Sequence, residues 1–134
     1  MKTFNKEMFE RVDQQTREVT KDYLMSVGKT AYDNPDKYGA DLIIDNLCYV
    51  ECECKLVWGD NAFPWAEVNL PQRKEKFTRL DMPCMFMIWN KDFNRFVIFS
   101  STTVADSKLV EVPNKEIPVG EKFFKITKFE ERSG

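Results

Sequence analysis

The alternation of apolar and polar positions divides the chain into recognisable elements. From about Lys6 to about Val27, Phe9, Val12, Thr16, Val19 and Tyr23 recur at steps of three and four, the spacing of one helical face. Asn5 is placed to cap the start, with Phe4 and Phe9 as a hydrophobic staple around it, and Gly28 is placed as the stop. Residues 29–40 carry Asn34-Pro35 and Gly39 and read as a loop. Two strand patterns follow, Asp41 to Ile44 and Leu47 to Trp58, joined by a tight turn at Asp45-Asn46. In the second, Cys48, Val50, Cys52, Cys54 and Leu56 share one face, while Tyr49, Glu51, Glu53 and Lys55 share the other.

An aromatic-rich loop, Trp58 to Trp65, leads to a short helix predicted from Pro71 to about Leu80, because proline fits a first helical turn. Strands are predicted at Cys84 to Trp89 and Arg95 to Ser100, on either side of the polar turn Asn90-Lys91-Asp92. A short helix is predicted over 101–108 and a last strand over Phe123 to Ile126. Helix, strands, helix, strands is the order of an α/β domain with a single mixed central sheet flanked by helices. No repeat or linker divides the 134 residues, which read as a single domain, 1–134.

Composition narrows the chemistry. The chain has no histidine, which excludes Ser-His-Asp and Cys-His mechanisms and zinc sites with an imidazole ligand. Any catalysis must rest on carboxylates, lysine, tyrosine, cysteine or a metal held by oxygen. A net charge of −2 does not describe a generally basic, polyanion-binding protein. The first residues lack the apolar run of a signal peptide, and no stretch approaches the roughly 18 apolar residues of a membrane span. Cys48, Cys52, Cys54 and Cys84 are too few and clustered for a disulfide framework and suit a reducing compartment. The expectation is a cytoplasmic protein, of the host cytoplasm if viral, with no membrane partner.

Charged side chains on one face of an otherwise buried strand need a partner or a metal. Glu53 and Lys55 point the same way, and a hairpin would bring Asp41, at the start of the preceding strand, near Glu53. Two convergent carboxylates beside an ammonium make a plausible Mg²⁺ site. The competing reading is the solvated face of an edge strand. Asp36, in a loop after Pro35, competes for the first acidic position, but Asp41 is followed directly by apolar residues. A second acid-x-lysine triplet, Asp106-Ser107-Lys108, has no such strand around it.

Gly39-Ala40-Asp41-Leu42-Ile43-Ile44, followed by Tyr49-Val50-Glu51-Cys52-Glu53-Cys54-Lys55, resembles the core of the PD-(D/E)XK nuclease superfamily, in its Holliday-junction-resolvase-like branch. The resemblance covers roughly residues 39–100 and implies a restriction-endonuclease-like αβββαβ core. It implies Asp41 and Glu53 as metal ligands, Cys54 as a ligand through its backbone carbonyl, and Lys55 as the catalytic lysine. The implied cofactor is Mg²⁺, with Mn²⁺ as substitute. Glu51 reads as a third carboxylate or as a charge partner for Lys55 or a basic residue of the following helix. Gln72 is near the position of the glutamine found in some branches, although Phe77 breaks the accompanying spacing. Glu7, Glu10 and Glu18 lie opposite the apolar stripe and read as solvated.

Arg73, Lys74, Lys76 and Arg79, against Glu75, form a basic patch suited to backbone phosphates, or an ordinary solvated helix face. Trp58, Phe63 and Trp65 suit stacking on unpaired bases, capping of the core, or a homodimer contact. The expected function is metal-dependent hydrolysis of DNA phosphodiesters, structure-selective and encoded by a virus or mobile element. The alternative is a catalytically inactive nucleic-acid-binding or assembly protein on the same fold.

Overall fold

A computed structural model describes residues 6–112 and 120–134 of the chain. Asn5 and Phe4, the expected cap and staple, lie outside the described residues. The elements in order are α1 (Lys6–Ser26), β1 (Tyr32–Asp33), β2 (Leu42–Ile44), β3 (Cys48–Lys55), β4 (Val68–Pro71), a 3-10 helix (Gln72–Thr78), β5 (Cys84–Asn90), β6 (Arg95–Ser100), α2 (Ser101–Ala105), β7 (Lys108–Val112), β8 (Glu121–Ile126) and β9 (Glu130–Ser133). They form a mixed α/β fold with helices flanking a central sheet.

That sheet has six strands in the order β1-β2-β3-β5-β6-β9. β3 is antiparallel to β2 and parallel to β5, which is antiparallel to β6. The expectation of a single sheet is corrected, because β4, β8 and β7 form a second, three-stranded sheet. Val68, Leu70, Phe124 and Ile126 of this small sheet pack with Phe86, Ile88, Val97 and Phe99 of the central one, together with Phe77 of the 3-10 helix and Val104 of α2. On the other face, Leu24 of α1 covers Leu42, Ile44, Val50, Met87, Trp89 and Phe96.

The helix buries a different stripe from the one its aromatic residues suggest. Thr16, Thr20 and Leu24 are buried, Val19 and Tyr23 half-buried, and Phe9 is 46% exposed. Threonine tolerates this place because its hydroxyl bonds back along the helix: Thr16 Oγ1 donates to the Val12 carbonyl and Thr20 Oγ1 to that of Thr16, each at 2.7 Å. The Thr20 oxygen also accepts from the indole N–H of fully buried Trp89 at 2.9 Å. Gly28 ends the helix as expected, with φ +85° and the Lys29 N–H reaching back to the Leu24 carbonyl at 2.8 Å.

Asn90, buried at the end of β5, fastens the loop after β3 to the central hairpin. Its amide donates to the Gly59 carbonyl, while its oxygen accepts from the backbone N–H groups of Asn94 and Arg95. Glu131 on β9 makes a second fastening: Oε1 accepts from the Phe63 N–H at 2.9 Å and Oε2 pairs with Arg95 at 3.2 Å. The helix expected from Pro71 is displaced, since Pro71 ends β4 and the turn after it is 3-10. The helix expected over 101–108 stops at Ala105, and Lys108 begins β7. Among the described residues, no helix is long and apolar enough to cross a membrane.

Replacing Thr20 by valine keeps the shape but leaves the Trp89 N–H without its acceptor. The expected loss is about 1–3 kcal/mol in urea unfolding. A loss below a few tenths would show that this bond contributes little.

Candidate functional site

β2 and β3 bring acids together at one end of their hairpin. Leu42 pairs with Val50, so the next position places Asp41 beside Glu51, and Glu53 lies two residues farther along. Beyond that last paired position the Asp41 side chain continues the ladder: its Oδ2 accepts from the Cys52 N–H at 3.0 Å. The acid facing Asp41 is therefore Glu51 rather than Glu53.

Asp41, Glu51 and Glu53 line a cleft of about 440 Å³, walled on the opposite side by Arg73, Lys74 and Lys76 of the 3-10 helix. Glu51 is buried, and Lys74 Nζ lies 2.7 Å from its Oε2. Of the roles open to Glu51, partner to a basic residue of the following helix is the one formed. Burial first, then its hydrogen bond to Asp41 and the Asp41 charge, push the Glu51 carboxyl up to about 8, and Lys74 only partly opposes them. Glu51 thus keeps its proton well above the ordinary glutamate range. Glu53 is exposed at the mouth.

Lys55 does not line this cleft. It borders a neighbouring hollow with Trp65, its Nζ 5.0 Å from the ring centroid, and Glu53 lines both spaces. Cys54 turns its thiol away toward the Asn90 carbonyl at 3.5 Å. Gln72 is exposed and outside the cleft, and Arg79 is outside it too, paired with Glu75. Arg73, Lys74 and Lys76 are thus brought to the acids and Arg79 is not.

Asp13 of α1 also lines the cleft and was not singled out from the sequence, where Glu7, Glu10 and Glu18 drew attention. Burial and the charge of Asp41 raise its carboxyl above the ordinary range. Its position one turn before Thr16 and Arg17, at the border of the buried stripe, was the available signal. Lys37 and Tyr38, in the loop before β2, complete the wall.

Three of the four cysteines lie on β3 and one on β5, and Cys52 also lines the cleft. All four are free, and burial raises each of them, Cys54 to about 11 and Cys84 to about 12. Among the described residues, no group of three or more His, Cys, Asp and Glu side chains is arranged to hold a metal ion. No protein-family model matches the chain, and no curated protein is significantly similar to it.

The Glu51 proton makes stability depend on pH. Between the ordinary glutamate value of 4.5 and about 8, the unfolded chain releases this proton and the folded chain keeps it. The folded state binds more protons, so this contribution to stability falls as pH rises through that window. Glu51→Gln, which imitates the protonated acid, is expected to lose the decline. Melting curves of both proteins in EDTA at several pH values check this, and parallel curves would show that Glu51 ionises normally when folded.

Proposed function

We propose that the chain is a metal-dependent nuclease that hydrolyses DNA phosphodiesters on the restriction-endonuclease-like plan. The order α1, β1, β2, β3, β4, 3-10 helix, β5 supports this reading, since without β4, which belongs to the second sheet, it follows the αβββαβ sequence of that core. The crossover helix is shorter and the second sheet is additional. The observation that carries the proposal is the Asp41–Glu51 carboxyl pair, with Glu53 at its mouth and a lysine against it. Two carboxylates that close repel unless a proton or a cation lies between them.

The donor set suits a hard divalent cation. It offers only carboxylate oxygens, and Mg²⁺ is usually held by one or two of them together with substrate phosphates. Asp41 and Glu53 would hold the ion, Glu51 staying with Lys74, and Mn²⁺ would substitute. When bound, the metal polarises the phosphoryl oxygen and offsets the charge that develops on it. Arg73 and Lys76 bind the backbone on either side of the scissile group. Lys74, in the cleft itself, takes the part that the sequence resemblance gives to Lys55: its ammonium steadies negative charge next to the acids.

A second reading is a catalytically inactive nucleic-acid-binding or assembly protein. The Lys74–Glu51 contact favours it, because an ammonium already neutralises one of the carboxylates.

A cleavage assay over single strands, duplexes, flaps and four-way junctions with Mn²⁺ separates the two. Cutting is expected, and Asp41→Asn or Glu53→Ala should abolish it with folding retained. Lys74→Ala should lose about 100-fold or more in rate, and Lys55→Ala far less. Loss confined to Lys55→Ala would return the catalytic lysine to β3. No cutting of any substrate would leave the inactive reading.

A further inference from the structure

The hollow beside the acidic cleft has a construction of its own. It encloses about 470 Å³ and is lined by Ile88 and Val68, by Trp65 and Phe63, and by Asn69 and Glu67, whose side-chain oxygens both meet Lys125 Nζ, at 2.9 and 3.4 Å. That size falls within the roughly 300–1,000 Å³ range of small-molecule sites. Its aromatic wall is buttressed in series. Trp58, 1% exposed, donates its indole N–H to the Asn61 carbonyl at 2.8 Å and meets Phe63 edge-on at 5.0 Å. Phe63 in turn meets Trp65 edge-on at 5.1 Å and Phe129 at 5.3 Å. Of the three aromatic residues singled out in this loop, Trp58 is thus core and Phe63 is support. Trp65 remains 38% exposed, on the wall of the hollow.

Two features say what the hollow would take. Glu53 lines both it and the acidic cleft, so a ligand in one is continuous with a ligand in the other. Lys55 stands at the rim, held over the Trp65 ring and in no ion pair among the described residues, where it can meet an anion. A flat group with a π face and hydrogen-bonding edges, attached to a phosphate, matches this arrangement.

We propose that the hollow captures one unpaired nucleobase of the DNA strand whose phosphate lies in the acidic cleft. The base takes the face of Trp65 over which Lys55 lies, its edge reaches Asn69 and Glu67 beside Lys125, and the displaced Lys55 ammonium meets the phosphate between the two sites. The proposal rests on the nuclease reading and gives it a substrate class: strands with a single-stranded or extrahelical nucleotide. A base paired inside an intact duplex cannot present its face to a side chain in this way.

The test uses 2-aminopurine as the captured base, with Ca²⁺ present so that cutting is not the readout. Binding of the native protein should quench the probe in a single strand or at a bulge, and leave it unchanged in a continuous duplex. Trp65→Ala should lose the quenching and weaken single-strand binding by about 5- to 150-fold, the range of one base–aromatic stack. Trp65→Phe should retain most of both. Equal quenching of paired and unpaired probes, or quenching that survives Trp65→Ala, overturns the proposal. If Trp65→Ala fails to fold, the paired-against-unpaired comparison on native protein decides. Trp65-dependent quenching without Mn²⁺-dependent cutting would sink the nuclease reading and leave base capture standing. Cutting without such quenching would do the reverse.

Discussion

Both concave spaces beside β3 depend on the parallel pairing of β3 with β5. Two parallel neighbours cannot be joined by a turn, so the chain must leave the sheet after Lys55 and re-enter it at Cys84 from the opposite end. The return path crosses the face that holds Tyr49, Glu51, Glu53 and Lys55. On the way it deposits the aromatic loop, β4 and the 3-10 helix there. Without that crossover the acids of β3 would face water, and the bland reading of a solvated strand would hold. With it, Glu51 is buried against Lys74, and Glu53 is left at the junction of two concave spaces.

The electrostatics follow from the same enclosure. Removing Glu51 from water raises the cost of its charge, and Asp41 beside it raises the cost again. Lys74 returns part of that cost, and the Cys52 N–H holds the Asp41 oxygen in place. The result is a compact set of groups with fewer negative charges than carboxylates.

Much of this was legible in the residues. Period-two alternation located β3, apolar runs located β5 and β6, and Gly28 marked the end of α1. The strands that escaped include β1, two exposed residues inside the segment read as a loop, and β7, and also two whose partners are distant in sequence. β4 is short and ends in a proline that reads as a helix start; it tolerates Pro71 because it is an edge strand of the small sheet. β9 is Glu-Glu-Arg-Ser, fully exposed, with no apolar position to betray it, and it exists through its pairing with β6. The site showed the same division. Asp41, Glu51, Glu53 and Lys74 were visible as residue types at suggestive places, but which acid faces which depends on hairpin register. Lys55, two residues beyond Glu53, lines the neighbouring hollow, and Lys74 reaches the cleft from the 3-10 helix. Asp13 is an acid on the border of a helical stripe, and only the direction in which α1 lies on the sheet shows that it reaches the cleft.

The Glu131 carboxylate has a thermodynamic consequence. One oxygen holds the Phe63 N–H of the aromatic loop and the other holds Arg95 of the central sheet, so a single side chain ties a surface loop to that sheet. Loops of this exposure ordinarily lose conformational entropy when a ligand orders them, and affinity falls by that amount. Here the loop is already tied to β9 and β6 in the folded protein. A ligand that meets the Trp65 wall encounters a surface already organised, and its binding energy is left for contact.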